Sequence, residues 1–516
     1  MAELDEQTET IAFLSRPESY GVEGPVERID THCAIVFLVG ERAYKLKRAV
    51  RYPYLDFSTL AKRKKVCEAE LRLNRRTAPE LYLEVRSVNR QADGTLGFGE
   101  GKPADWLVVM RRFDADCLLE AVAARGELNA GLVRDLADHI ARFHDSANIL
   151  VGRGGAERLR KVIDNNRESM AVLPPDALPD AECEQLHDRS IALLEQVSSL
   201  LDDRAESGHV RHCHGDMHLA NICLWRERPI LFDCLEFDEE LATTDVLYDL
   251  AFLLMDLWEK GYRAQASLLF NRYLDRRAEG GGLAALPLFL SMRAAVRAHV
   301  NVTAADRQAT PEGRLAKLED ARTYLRAAQS FLEPPEPRLI AVSGLSGTGK
   351  STLAGGLAPG IGAAPGARWL RSDVMRKVLA GVPPEMRLPP EAYTKERNAE
   401  VYHRLVEEAR AALAAGHSVI VDAVFARHGE REEVSAIAHD AGVPFLGVWL
   451  EASRETLLAR VGARTGDASD ADRSVVERQV HYDVGDLAGW HRIDAGGSPE
   501  EALARARKLV EAQSRP

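Results

Sequence analysis

RHCHGDMHLANIC, Arg211 to Cys223, contains the pattern His-Gly-Asp-x-His-x-x-Asn. Asp216 and Asn221 lie five residues apart within it. At that spacing one loop can offer a carboxylate to an acceptor hydroxyl and an amide oxygen to a metal ion held by phosphate. Asp233 follows the apolar run PILFD, on a neighbouring strand, where a second metal-binding acid belongs. ICLW and PILFD are strand-like, so the order is loop, strand, turn, strand.

The chain has 516 residues, 46% hydrophobic and 28% charged, which predicts a folded protein of several domains. The sequence has no unbroken apolar run of about 18 residues and no basic-apolar-small leader. The expectation is a cytoplasmic protein without a membrane span. Seven cysteines, an odd number without finger-like pairing, fit reduced thiols. A net charge of −12 argues against a broad nucleic-acid-binding face. The acidity lies mainly before residue 337, and the remainder is close to charge balance.

Upstream, CAIVFLV and AYKLKRAV read as strands joined at Gly40-Glu41. STLAKRKKVCEAELRLNRRTA reads as a helix capped by Ser58 or Thr59, and LYLEVRSVNR and WLVVMRRF as further strands. Helical spacing begins in LNAGLVRDLADHIARFHDSA and dominates to about Phe331, with loops expected at GRGGAE and EGGGL. These patterns place a small β-rich lobe at 1–110, a helical lobe at 111–332 and a Pro-rich linker, EPPEPR, at 333–338. From 339 to 516, LIAVSG, RWLRSD, HSVIVDA, FLGVWLE and WHRIDA alternate with helices, which predicts an α/β domain with a mostly parallel sheet.

The turn after LIAVSG is GLSGTGKS, a full G-x-x-x-x-G-K-[ST] motif between a strand and a helix. Backbone N–H groups of Gly344, Leu345, Ser346, Gly347, Thr348, Gly349, Lys350, Ser351 and Thr352 can cradle phosphates at a helix N-terminus. Lys350 is expected on the β/γ-phosphates and Ser351 on Mg²⁺, with Asp422 at the end of HSVIVDA holding metal-bound water. This predicts ATP and Mg²⁺ as cofactors. Asp373 in RSDVMRK follows a strand, with Arg376 three residues on. Arg460 and Arg464 belong to an arginine-bearing stretch able to close over a transferring phosphate, and IDAGGSPEEA is a turn suited to adenine.

This order resembles the small P-loop kinases of the gluconate kinase, zeta-toxin and polynucleotide 5′-kinase type, over about Leu339 to Val510. The resemblance makes Asp373 the general base and Arg376 the grip on the acceptor. The structural alternative is a helix cap for Asp373 and a surface position for Arg376. HGDMHLAN and FDCLEFD in turn resemble the aminoglycoside phosphotransferase and choline kinase branch of the protein-kinase-like fold, over roughly 25 to 330. By that resemblance Asp216 orients and deprotonates the acceptor hydroxyl, and Asn221 and Asp233 hold Mg²⁺. His214 and His218 brace the loop, and Asp249 in DVLYDLAFL anchors it. The competing reading is a zinc cluster of His212, His214, His218 and nearby Cys213 and Cys223.

No G-x-G-x-x-G precedes the N-terminal strands. AYKLK puts Lys45 and Lys47 on one strand face, and either is a candidate phosphate lysine. Glu70 is the first candidate partner and Glu68 the second. WLVVMRRF is the candidate hinge strand, with adenine hydrogen bonds expected near Val109 and Met110. The whole order looks like a bacterial fusion of an aminoglycoside-phosphotransferase-like domain with a P-loop ATPase/kinase domain. The implied function is a bifunctional kinase acting on hydroxyls of small-molecule acceptors. The alternatives are a P-loop kinase governed by a nucleotide-binding N-terminal half, and a nucleic-acid 5′-hydroxyl kinase at the C-terminus. Oligomeric state leaves no mark in the sequence.

Overall fold

A computed structural model describes residues 5–31, 33–52, 55–152, 154–174, 176–306, 308, 310–463 and 468–513. The chain forms two compact units: Met1–Arg158 with Asp202–Leu253 and Val300–Glu319, and Leu159–Leu201 with Leu254–His299 and Asp320–Pro516. Residues 333–338 carry no helix or strand. The division into units does not fall there, because helical segments on its N-terminal side are grouped with the P-loop region.

The first unit is a kinase-like α+β fold with a β-rich lobe. The strands of its sheet lie in the order Glu27–Asp30, Ala34–Val39, Arg42–Lys47, Lys102–Arg111, Tyr82–Arg90 and Leu96–Gly97. Side chains alternate across a strand, so Tyr44 and Leu46 join Leu14, Phe37 and Leu107 in a core on one face. Ala43, Lys45 and Lys47 share the opposite face, where Ala43 packs with Cys67, Tyr82 and Val108. Helix Leu60–Asn74 covers that face. Thr59 caps it by accepting a hydrogen bond from the Lys62 N–H, while the Ser58 hydroxyl turns to Asp56. Its inward residues Arg63, Cys67, Glu70 and Asn74 repeat at helical spacing, and most of them are polar. Arg63 is satisfied by buried Asp105, Nε to Oδ1, 2.8 Å away.

The strands of the second unit's sheet run in the order Arg368–Arg371, Val419–Asp422, Leu339–Gly344, Phe445–Glu451 and Trp490–Asp494, all parallel. The β-branched and apolar runs buried on both faces are the composition such a sheet requires. The glycine-rich turn leaves the central strand, and in the register Asp422 lies opposite both Val342 and Arg371. The carboxyl ends of the strands therefore gather Gly344, Arg371 and Asp422 at one edge, the usual ligand side of such a sheet. The two glycine-rich segments expected as loops differ in detail. A helix begins at Gly155, and Gly280–Ala285 is a short 3₁₀ turn.

By length and composition, the stretch Gly280–Ala305 is apolar enough to cross a membrane, but 67% of its apolar window is buried inside the fold. His299 lies in it, and burial holds this histidine down to about 4. Burial also lowers His139 to about 4. His417, which bonds the Gly366 carbonyl at 2.9 Å, is held down to about 4 in the same way. Each is neutral in the fold but protonates near 6.5 when unfolded, so its contribution is intact above pH 6.5 and is lost as pH falls toward 4. Thermal melts from pH 7 to pH 4.5 are expected to show Tm falling, with a shallower slope in a His299→Gln, His417→Gln double variant.

Candidate functional site

In the first unit, strand Val210–His212 delivers the chain into the loop that carries Asp216. Gly215 adopts φ 82°, and a Cβ there would meet the Leu235 Cβ at 2.8 Å, so the turn requires glycine. Buried Asp249 holds the loop: its Oδ1 accepts the Gly215 N–H at 2.7 Å and its Oδ2 the His214 N–H at 3.2 Å. His144 Nε2 lies 3.1 Å from the same Oδ2. His214 Nε2 sits 3.1 Å from the Phe232 carbonyl oxygen, and burial keeps its imidazole below the usual range. The His218 ring packs edge-on against Phe252, its Nε2 3.6 Å from Asp216. These are bracing roles.

The zinc cluster of the competing reading does not assemble among the described residues. The geometry groups Cys213 with His144 and Asp249 instead, and Asp249 is already engaged by two backbone amides.

Asn221 Nδ2 donates to Asp216 Oδ2 at 2.9 Å, which fixes the carboxylate and leaves the amide oxygen for a cation. Asp233 takes φ 57° and is tied through its N–H to the Tyr82 hydroxyl at 3.1 Å. The following N–H, of Cys234, donates to Asn74 Oδ1 at 2.9 Å. Tyr82 and Asn74 left no signal in the sequence, since both read as ordinary strand and helix residues.

The lysine question resolves into two roles. Lys45 Nζ lies 2.9 Å from Glu70 Oε1 and 2.5 Å from Asp233 Oδ1. Lys47 Nζ lies 2.5 Å from both Glu70 Oε2 and Glu236 Oε1. Lys45 thus joins the strand, the helix and the acid loop, while Lys47 locks Glu236. Glu68 points away and lies 3.8 Å from Lys64. Burial disfavours the Lys45 charge, but Asp233, Glu70 and Glu236 outweigh it and hold the ammonium well above the ordinary lysine range. Burial also opposes the Glu70 carboxylate, and Lys45 and Lys47 overcome it. Glu236 is pushed up by burial, only partly offset by Lys47. Three carboxylates around two ammoniums leave one in excess, and Glu236 is the one that feels it.

Val109 and Met110 do not present a free hinge edge. Their strand pairs on one side with Ala43 and Tyr44 and on the other with Tyr82 and Glu84. A strand inside a sheet spends its amides on both neighbours. That pairing continues to Arg112, whose N–H donates to the Glu41 carbonyl.

In the second unit, Gly347 sits at φ 89°, where a Cβ would lie 2.8 Å from the Leu457 carbonyl oxygen. Gly349, at φ 92°, caps helix Lys350–Leu357. Gly344, Leu345, Ser346 and Thr348 complete the turn, with the Thr348 hydroxyl donating to the Leu345 carbonyl at 2.8 Å. Lys350 Nζ donates to that same carbonyl at 3.1 Å. The Ser351 hydroxyl donates to Asp422 Oδ2 at 2.6 Å, and Thr352 is exposed in the first helical turn. Burial pushes the Asp422 carboxyl above its usual range, against the pull of Lys350 and Arg371. A hydroxyl and a carboxylate in contact are the hard oxygen donors that suit Mg²⁺.

Asp373 lies in the first turn of helix Ser372–Leu379, half-buried, and its side chain makes no hydrogen bond or ion pair among the described residues. Arg376 is buried. It donates to the Ala392 carbonyl and to Asn398 Oδ1, both at 2.8 Å, and stacks over Tyr393. It therefore braces the loop beside Asp373, and its buried Nε has no hydrogen-bond partner among the described residues. Arg460 donates to the Gly497 carbonyl at 3.0 Å, within the turn suggested for adenine. Arg464 lies outside the described residues.

Two groups that the sequence reading passed over face the same site. Gln479 Oε1 accepts the Ser346 N–H at 2.7 Å. Asp470 takes Lys377 at 2.5 Å, the Leu388 N–H at 2.9 Å and the Tyr393 hydroxyl.

Residues 62–287 match the family model described as the phosphotransferase enzyme family. Residues 339–482 match the one described as an AAA domain. The chain is a fusion of the two. An uncharacterized protein of Mycobacterium tuberculosis (strain ATCC 25618 / H37Rv) is 29% identical over 500 residues, covering 92% of this chain and 94% of its own. An adenylyl-sulfate kinase of Myxococcus xanthus is 30% identical over 123 residues, 24% of this chain and 62% of that one. Among solved structures, a choline/ethanolamine kinase family protein from Mesorhizobium loti aligns with TM-score 0.37 and 18% identity, over 63% of this chain and 99% of that chain. A gluconokinase from Sinorhizobium meliloti aligns with TM-score 0.25 and 19% identity, over 35% and 98%.

Asp249→Ala strips the acceptor from two buried loop amides, and the expected loss of stability is about 3 kcal/mol, read from the denaturant midpoint. Lys47→Met leaves Glu236 without its cation in the interior, with an expected loss also of about 3 kcal/mol.

Proposed function

We propose that the fusion is a double ATP-dependent kinase, each half transferring a γ-phosphoryl group to a hydroxyl of a small-molecule acceptor in the cytoplasm. What supports this reading is that each unit brings together groups suited to that chemistry. Asp216, Asn221, Asp233 and the Lys45–Glu70 pair meet in the first. The glycine-rich turn, Ser351, Asp422 and Asp373 form the corresponding set in the second. The match of the P-loop region to an adenylyl-sulfate kinase supports a kinase over a bare ATPase.

In the first unit, Asp216 takes the proton of the acceptor hydroxyl as its oxygen bonds to the γ-phosphorus and the bond to the β–γ bridging oxygen breaks. Asn221 holds the Asp216 carboxylate in place, and Lys45 offers positive charge to the phosphates. In the second, Asp373 is the corresponding base, while Lys350 and the turn's N–H groups receive the charge of the leaving phosphate. Mg²⁺, held by Asn221 and Asp233 in one site and by Ser351 and Asp422 in the other, would draw charge from the phosphate oxygens.

A second reading is favoured by one contact. Lys45 is shared between Glu70 and Asp233, so the acid for metal and the lysine for phosphate hold each other. In that reading nucleotide binding to the first unit regulates the second without turnover.

The test is transfer from γ-labelled ATP, with Mg²⁺, into a bacterial metabolite extract, comparing wild type, Asp216→Ala and Lys350→Ala. Two labelled products are expected, each lost in a different variant. Loss of a single product, only in Lys350→Ala, would favour the regulatory reading. Products that persist unchanged in both variants would overturn the site assignments.

A further inference from the structure

A parallel sheet of five strands has two open edges, and an edge strand presents backbone groups that need partners. In the second unit one edge is strand Arg368–Arg371, which runs directly into helix Ser372–Leu379 and so aims Asp373. Its inner side pairs with Val419–Asp422. Its outer side meets helix Arg263–Arg276, a segment more than ninety residues earlier in the chain and within the same compact unit.

The contact copies strand pairing with one side chain. Asn271 Oδ1 accepts the Trp369 N–H at 2.7 Å, and its Nδ2 donates to the Ala367 carbonyl at 3.1 Å. An amide carries both the donor and the acceptor that a neighbouring strand would supply. One turn on, Asp275 Oδ1 meets Arg368 Nη1 at 2.7 Å, both side chains largely buried. Burial pushes the Asp275 carboxyl up, and Arg368 pulls against it. Arg272 grips Glu385 with two bonds, at 2.9 and 3.2 Å. Glu385 lies in the loop after helix Ser372–Leu379. The same helix, Arg263–Arg276, therefore holds the chain on both sides of the segment that carries Asp373 and Arg376. Phe270, next to Asn271, packs its ring against His417 and completes the seat.

We infer that Asn271, Arg272 and Asp275 are positioning residues of the P-loop kinase, and that helix Arg263–Arg276 is a working part of that catalytic unit. This rests on the reading of the second unit as a kinase with Asp373 as its base. The partners named above, Ala367, Arg368, Trp369 and Glu385, lie outside the glycine-rich turn, so the three residues set where the base stands and leave nucleotide binding alone. A misplacement of about 1 Å at a reacting group is enough to lower a rate about 100-fold.

The test uses the full-length chain as wild type, Asn271→Ala, Asp275→Asn and the conservative Asp275→Glu. Three quantities are measured: hydrogen exchange across 367–389 and across 344–352, affinity for Mg·ADP, and kcat and KM for ATP in the label transfer that Lys350→Ala abolishes. Asn271→Ala and Asp275→Asn are expected to speed exchange in 367–389 by about tenfold while leaving 344–352 and Mg·ADP affinity within about twofold. Their kcat is expected to fall about 10- to 100-fold at unchanged KM for ATP, with Asp275→Glu recovering most of it. Unchanged exchange in 367–389, or exchange rising equally in 344–352, overturns the positioning role. Absence of Lys350-dependent transfer in the wild type overturns the kinase reading itself, and that failure is told apart because it is present before any variant is made.

Discussion

Two lysine ammoniums can lie side by side in a protein interior only if carboxylates surround them, because an unpaired buried charge costs several kcal/mol. The first unit is organised around that requirement. Lys45 and Lys47 project from one strand face, Glu70 comes from helix Leu60–Asn74, and Asp233 and Glu236 come from the segment after Cys223. Strand, helix and acid loop must therefore meet at one point, and the meeting fixes where Lys45 stands relative to Asp233. Tyr82 and Asn74 extend it by holding the backbone at Asp233 and Cys234.

In both units the donors proposed to meet phosphate have protein acceptors. Lys45 has Glu70 and Asp233, Lys350 has the Leu345 carbonyl, and the Ser346 N–H has Gln479. A buried donor left without an acceptor is costly, and these pairings satisfy the donors within the fold. On the proposed function, nucleotide binding is an exchange of these acceptors for phosphate oxygens. In the second unit the exchange touches Gln479, just beyond the segment in which Asp470 ties Lys377 and Tyr393 beside the acceptor helix. Phosphate grip and acceptor geometry thus share one short stretch of chain.

Much of this was legible before folding because the decisive patterns are local. GLSGTGKS between a strand and a helix is a backbone conformation written in glycines, and the five parallel strands follow from apolar runs of the right length. The strands Leu339–Gly344, Ile222–Trp225 and Phe445–Glu451 coincide with the runs read from sequence. The hinge expectation at Val109 and Met110 failed for a tertiary reason: only the sheet reveals that both sides of that strand are already paired. Arg376 shows the same limit, since its spacing from Asp373 is compatible with either grip or brace, and the partners Ala392 and Asn398 come from a later segment.

The sequence by itself determined the two phosphate-directed loops, the fold class of each region and the set of acids and lysines available to them. These depend on neighbours a few residues apart, where φ/ψ preference and side-chain spacing act directly. Tertiary structure alone decided which lysine reaches Asp233, which glutamate lies inward, and that helix Arg263–Arg276 seats the strand leading to Asp373. Such pairings join residues far apart in the chain. They are chosen by the need to satisfy buried charge and backbone groups together, a condition that no local stretch of sequence contains.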